Sequence, residues 1–167
     1  MNINELFATV QPFLTVLNTA LIVTGLIYTI RHYKLNRTWS YIERYNSSDF
    51  ILTRKYATIF YNKLNAFATE EEKREYVIHL LDSKKEEDII TVLHLIRFIN
   101  LFTELGVAYK SNAWSKKAII SISFLVLDSW EQMQIFIKVQ QERAHPRVIY
   151  SSFEHLYNDI IKRKLHL

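Results

Sequence analysis

From Leu6 to Ile30 the chain runs twenty-five residues without a charged side chain, and Arg31, His32, Lys34 and Arg37 follow at once. An uncharged run of that length closed by a basic cluster is the pattern of a helix that spans a bilayer. At ~1.5 Å per residue the part from Pro12 to Ile30 alone reaches about 28 Å, close to the ~30 Å of hydrocarbon that must be crossed. Residues 1–30 are therefore expected to form an N-terminal tail and a single transmembrane helix. Residues 31–47 continue that helix as a basic juxtamembrane extension, and residues 48–167 form a cytosolic domain. A cleaved secretory signal would carry its positive charge before the apolar part. Here Glu5 precedes the run and the basic residues follow it, which reads as N-terminus outside and C-terminus in the cytoplasm.

Charge is distributed in the same sense. Residues 31–63 carry seven Lys and Arg (Arg31, Lys34, Arg37, Arg44, Arg54, Lys55 and Lys63) against Glu43 and Asp49, whereas residues 64–167 carry fourteen of each sign. The basic excess sits beside the membrane, where its main expected partner is the anionic headgroup of membrane lipids. A sharper expectation makes these seven residues a collar that also receives a nucleotide or oligonucleotide, since an oligomer would multiply their field.

Only helix is supported beyond residue 30, with Gly and Pro numbering two each. The first helix is expected to break at Asn46-Ser47-Ser48, with Ser48 or Asp49 capping the second. Thr69-Glu70-Glu71-Glu72 and Ser83-Lys84-Lys85-Glu86 both fit a capping box, which fixes two further helix starts. The helix over 84–110 is apolar on most sides, as is a helix over 115–143 after a loop at Ser111-Asn112-Ala113, and the two are expected to form the buried central pair. Residues 118–127 are too few to cross a bilayer. His145-Pro146 marks a stop and restart before a last helix over 148–164. The fold class is thus all-α: one transmembrane helix continuing into a cytosolic bundle of about five helices.

The sequence offers little for catalysis. The six His show neither H-E-x-x-H nor a paired Glu-x-x-His spacing, so no metal site is expected. Without Cys there are no disulfides or thiolate ligands. No phosphate loop, dinucleotide turn or nucleophile elbow is present, and no cofactor or enzyme activity is expected. Glu104, Asp128 and Glu131 fall on otherwise apolar helices and are expected to pair with Arg97 or Arg143 inside the bundle. Asn100 reads as a hydrogen-bonded core amide.

The most unusual chemistry lies within the apolar run. Gln11, Thr15, Asn18, Ile22, Gly25 and Thr29 recur at spacings of four and three, so they share one helix face, and five of the six are polar or small. Thr hydroxyls can bond back to their own helix, but the Asn18 amide has no such outlet in hydrocarbon. Association of copies through this face is expected, since polar side chains and Gly are what membrane helices pack with. A stronger form turns the face toward a shared axis to make a narrow polar pore.

Taken in order, the membrane helix, Ile30-Arg31, Asn36-Arg37-Thr38, Arg44-Tyr45-Asn46-Ser47-Ser48-Asp49-Phe50, Asn100-Leu101-Phe102-Thr103-Glu104-Leu105-Gly106, Trp130-Glu131, Arg143 and Pro146 with Tyr150 and Phe153-Glu154 resemble a bacterial family. Its members are short proteins classed only as a domain of unknown function. The likeness spans nearly the whole chain, although Ser111-Asn112 replaces the Gly usual after that helix. It implies one membrane helix in the bacterial inner membrane plus a compact helical cytosolic domain, and it supplies no active site. Two functions fit this build. One is a membrane-anchored homo-oligomeric effector that forms or gates an ion-permeable pore in response to a cytosolic ligand or partner, as small proteins of this architecture do in antiphage defence. The alternative is a non-conducting anchor or adaptor that docks a cytosolic partner protein at the membrane.

Overall fold

The computed structural model describes residues 3–111, 122–143 and 150–164, with the side chains of 3–10, 38, 163 and 164 left undescribed. The expected loop at 112–113, the start of a helix near Ser115 and the stop at His145-Pro146 lie outside these residues. The described residues form helices and no strand: α1 (Ile3–Asn46), α2 (Ser48–Asn65), α3 (Glu70–Asp82), α4 (Glu86–Lys110), α5 (Ser123–Arg143) and α6 (Ser151–Lys164). The protein is all-α: one long apolar helix is followed, among the described residues, by five further helices.

α1 is 44 residues long and passes through Pro12, giving a rod of roughly 66 Å. Tyr41, Ile42 and Tyr45, in its last two turns, pack on the core. The break falls where expected, but its capping differs. Ser47 takes the N-cap position of α2, and its hydroxyl donates back to the Arg44 carbonyl at 2.8 Å instead of capping the new helix. Asp49 serves the first turn of α2 by its charge alone. Phe50, Thr53, Ala57, Phe60 and Leu64, spaced by threes and fours, then give α2 one buried stripe.

The box at Thr69 forms in full. The Glu72 amide donates to the Thr69 hydroxyl at 3.2 Å, and the Glu72 carboxylate accepts from the amides of Thr69 and Ala68 at 3.0 and 2.9 Å. The box expected at Ser83 does not. α4 begins only at Glu86, after Lys85, so Glu86 is the first helical residue where a box needs it third. Ser83 instead closes α3; its hydroxyl accepts from the Lys85 amide at 3.2 Å and donates to Asp88 at 2.5 Å.

The central pairing also differs from expectation. α4 packs most extensively on α6 and next on α2, while α5 lies mainly against α3 and α6. Gly106 is the reason. A Cβ built there would stand 2.1 Å from the Ser152 carbonyl oxygen and 3.0 Å from the Phe153 nitrogen, so only a bare Cα lets α6 lie backbone-close on α4. Aromatic rings carry the core outward from that crossing: Phe50 on Phe98 at 6.2 Å, Phe98 on Phe102 at 5.2 Å, Phe102 on Phe153 at 5.1 Å, and Phe153 edge-on to Trp130 at 5.1 Å. Tyr109 on α4 donates to Asp159 on α6.

Charges sit at the rim rather than inside. Glu104 pairs with Arg44 of α1 at 2.7 Å, Arg143 with Asp82 of α3, and Arg74 with Glu142 through two bonds of 2.9 and 2.5 Å. Asp128 accepts from Gln132 at 2.8 Å, and Glu131 is exposed. The expected interior pairing of Glu104, Asp128 and Glu131 with Arg97 or Arg143 is therefore not made. Asn100 is likewise exposed, not a core amide. Each helix explains its own residues: α4 buries the arc that carries Leu95, Phe98, Ile99 and Phe102 and leaves Asn100 and Glu104 on the other, while α5 buries Val126, Trp130 and Met133 and leaves Asp128 and Glu131 exposed.

Candidate functional site: the polar stripe of α1

Between Gln11 and Ile30 every side chain of α1 is exposed, and none of its most apolar stretch is buried by the rest of the chain. Phe13, Val16, Leu21 and Ile22 stand free of the bundle. Leaving such side chains in water costs on the order of 1.5–3 kcal/mol each relative to burial, so this segment needs an apolar surrounding from outside the chain.

The six stripe residues fall on one face, as their spacing requires. The threonines look after themselves. Thr15 donates to the Gln11 carbonyl at 2.9 Å and Thr29 to the Gly25 carbonyl at 2.8 Å; off the stripe, Thr19 and Thr24 do the same at 2.8 and 2.7 Å. The side-chain amides of Gln11 and Asn18 have no such bond among the described residues. Gly25 meets nothing within 4 Å of an added Cβ, so its missing side chain serves no contact inside the chain. The stripe is thus a smooth, exposed face with two amides that have no partner among the described residues.

The seven basic residues do not form one collar. Arg31, Lys34 and Arg37 occupy two turns of α1 below the bundle. Arg44 is tied to Glu104, and Arg54 lies over the Tyr45 ring at 4.8 Å with its Nε buried and without a partner among the described residues. Burial pushes the Tyr45 hydroxyl pKa up, against the opposing pull of Arg54. Lys55 is exposed on α2, and Lys63, at the far end of that helix, lines a groove with Tyr56, Tyr76 and Glu87. The seven are spread over two helices, from Arg31 in α1 to Lys63 near the end of α2, and do not gather at one place.

Two features of the domain were not legible in the sequence. Arg97 lies over the Phe50 ring at 5.9 Å, so cations flank the Tyr45–Phe50 pair on both sides. His94 stacks on Tyr56 at 4.4 Å and shares a 3.1 Å hydrogen bond with Thr53; burial, then Arg97, lowers its pKa. Neither has a local signal, because each joins α2 to α4 across a long stretch of chain. No group of three metal-ligating side chains occurs among the described residues.

No curated protein and no solved structure matches the chain. The family described as Domain of unknown function (DUF4760) matches residues 12–160, from the apolar part of α1 through nearly all of α6. The chain belongs to that family.

Proposed function

We propose that this protein is a single-pass membrane protein whose α1 crosses the bilayer, with the N-terminus outside and the helical domain in the cytoplasm, and whose copies gather through the α1 stripe to form or gate an ion-permeable path. The observation that carries the reading is the pair of side-chain amides, Gln11 and Asn18, without a hydrogen bond among the described residues, on a stretch of α1 that the rest of the chain does not bury. In hydrocarbon such amides are costly unless another helix or water meets them. Arg31, Lys34 and Arg37 then lie in the cytoplasmic headgroup layer, where each basic residue adds ~1 kcal/mol of attraction to anionic lipid. A cytosolic ligand or partner acting on the domain would change the state of the gathered helices, to which α1 connects without a break.

The threonine bonds favour a second reading. With those hydroxyls already donating to the helix backbone, the threonines keep only acceptor lone pairs, and the amides of Gln11 and Asn18 are the free donors of the stripe among the described residues, which suits a closed oligomer that anchors a cytosolic partner and conducts nothing. Ion leak separates the two. Full-length protein in liposomes should release trapped potassium, and Gln11→Leu with Asn18→Leu should abolish the release while leaving the fold intact. Leak that is unchanged in the double variant refutes the pore; absence of leak together with intact oligomers leaves the anchor.

A further inference from the structure

α4 is apolar nearly all round, yet only part of it is covered. Ile89, Leu93 and Val107 are 47 %, 59 % and 53 % exposed, and with Ile96, Asn100 and Thr103 they follow one another at spacings of four, three, four, three and four. That is the 3.5-residue period of a coiled-coil seam, with Leu93, Asn100 and Val107 at one core position and Ile89, Ile96 and Thr103 at the other. Thr103 is satisfied by the Ile99 carbonyl at 3.0 Å; the Asn100 amide has no hydrogen bond among the described residues. We infer that a neighbouring copy of this chain docks on this face, α4 against α4 in parallel, with the Asn100 amides meeting across the seam.

Orientation comes from the rest of the fold. Arg44 pairs with Glu104, the Tyr45 ring packs on Phe102 at 6.2 Å, Phe50 lies on Phe98, Thr53 reaches His94, and Lys63 shares a groove with Glu87. The α1–α2 rod therefore runs antiparallel to α4. An antiparallel α4 pair would send the two α1 segments in opposite directions, which one bilayer cannot accept, whereas copies related by an axis along α1 present their α4 helices in parallel.

The two faces are continuous. Counting ~100° per residue from Arg44, the α1 stripe falls roughly 20–100° away, on the side opposite Tyr41 and Tyr45 and so toward the uncovered edge of α4. Area requires that continuity. A seam ~27 Å long and ~10 Å wide covers well under the ~800 Å² per partner of a stable interface, and the α1 stripe adds a similar length on the same side. Lipid is a poor occupant, because Arg97 and Glu104 flank the seam at mid-length. A lone polar Asn among apolar seam residues is the device that fixes register between like helices.

This inference rests on the reading of α1 as a membrane anchor, and the test keeps the two apart. The chain has no Cys, so single substitutions report alone. Leu93→Cys, Asn100→Cys and Val107→Cys are oxidised in full-length protein in membranes, beside Ile22→Cys for the α1 face and exposed Lys138→Cys for chance collision. The expected result is homodimer crosslinking at all three seam positions, roughly tenfold or more above Lys138→Cys, since held contact makes the encounter effectively intramolecular. Leu93 and Val107 stand ~21 Å apart along the helix, so crosslinking at both demands parallel packing. Crosslinking at Asn100 alone overturns the parallel arrangement. Crosslinking at Ile22 with none on α4, or adducts only with a different protein, overturns the seam and spares the α1 oligomer. No crosslink at any position overturns both.

Discussion

Gly106→Ala adds a single methyl where the α4–α6 crossing has no room for it. The added carbon would lie 2.1 Å from the Ser152 carbonyl oxygen and 2.4 Å from its carbon, against the ~3.5–4.0 Å of ordinary contact. α6 must then back away by on the order of 1 Å, because backbone, not a flexible side-chain tip, stands in the way. That movement draws Phe153, Leu156 and Ile160 out of the core and loosens the Phe102–Phe153 stack. Overpacking of this kind costs about 1–3 kcal/mol, and a backbone obstacle places the cost at the upper end. The gain in helix propensity from Gly to Ala returns about 1 kcal/mol. A net loss of about 1–2 kcal/mol lowers Tm by roughly 3–8 °C for a domain of this size. Thermal melting of the full-length protein in detergent, followed by near-UV circular dichroism, measures it, because Trp130 packs directly on Phe153. If Gly106→Ala melts at or above the parent temperature, propensity has outweighed the clash and the close α4–α6 crossing is wrong.

Three further outcomes follow from the same geometry. His94 has its pKa lowered in the folded state, so the unfolded chain binds more protons; its contribution to stability is complete above the unfolded value of about 6.5 and falls as pH drops below it. Melting between pH 7.5 and 5.5 should show that slope, and His94→Gln should flatten it; an unchanged slope refutes the assignment. Thr69→Ala should cost about 1 kcal/mol in urea unfolding through loss of a formed cap, whereas Ser83→Ala should lower amide-exchange protection at Lys85 and leave the amides of Glu86 and Glu87 unchanged, since the Ser83 hydroxyl accepts from Lys85 and from no amide within α4. Arg44→Ala should cost no more than ~1 kcal/mol, as expected for an exposed ion pair, unless Glu104 also sets the angle at which α1 leaves the domain; increased proteolysis between residues 31 and 47 would reveal that.

Much of the architecture was legible because local signals carried it. The uncharged run with its basic exit, the break at Asn46-Ser47-Ser48 and the Thr69 box each depend on a few neighbouring residues, and each appears where the spacing puts it. The stripe on α1 was equally readable, since a single helix turns spacing directly into a face. Ser83 shows the limit of such signals: its pattern is identical to that of Thr69, but the end of α3 claims the residue first. The seven basic residues were grouped by number along the chain, and the rise of α1 and α2 spreads them along the molecule.

α4 marks the boundary most plainly. Its composition alone required that the helix be surrounded by apolar matter, and nothing in a sequence of Ile, Leu, Val and Phe says which side the domain would cover. That choice fell to Gly106, whose bare Cα drew α6 onto one arc, and to α2, which took the next. Local spacing determined the helices, the end of α1, the start of α3 and the face α1 presents. Only packing, in which each helix competes for a limited set of neighbours, decided that Asn100 and Leu93 would be left facing outward.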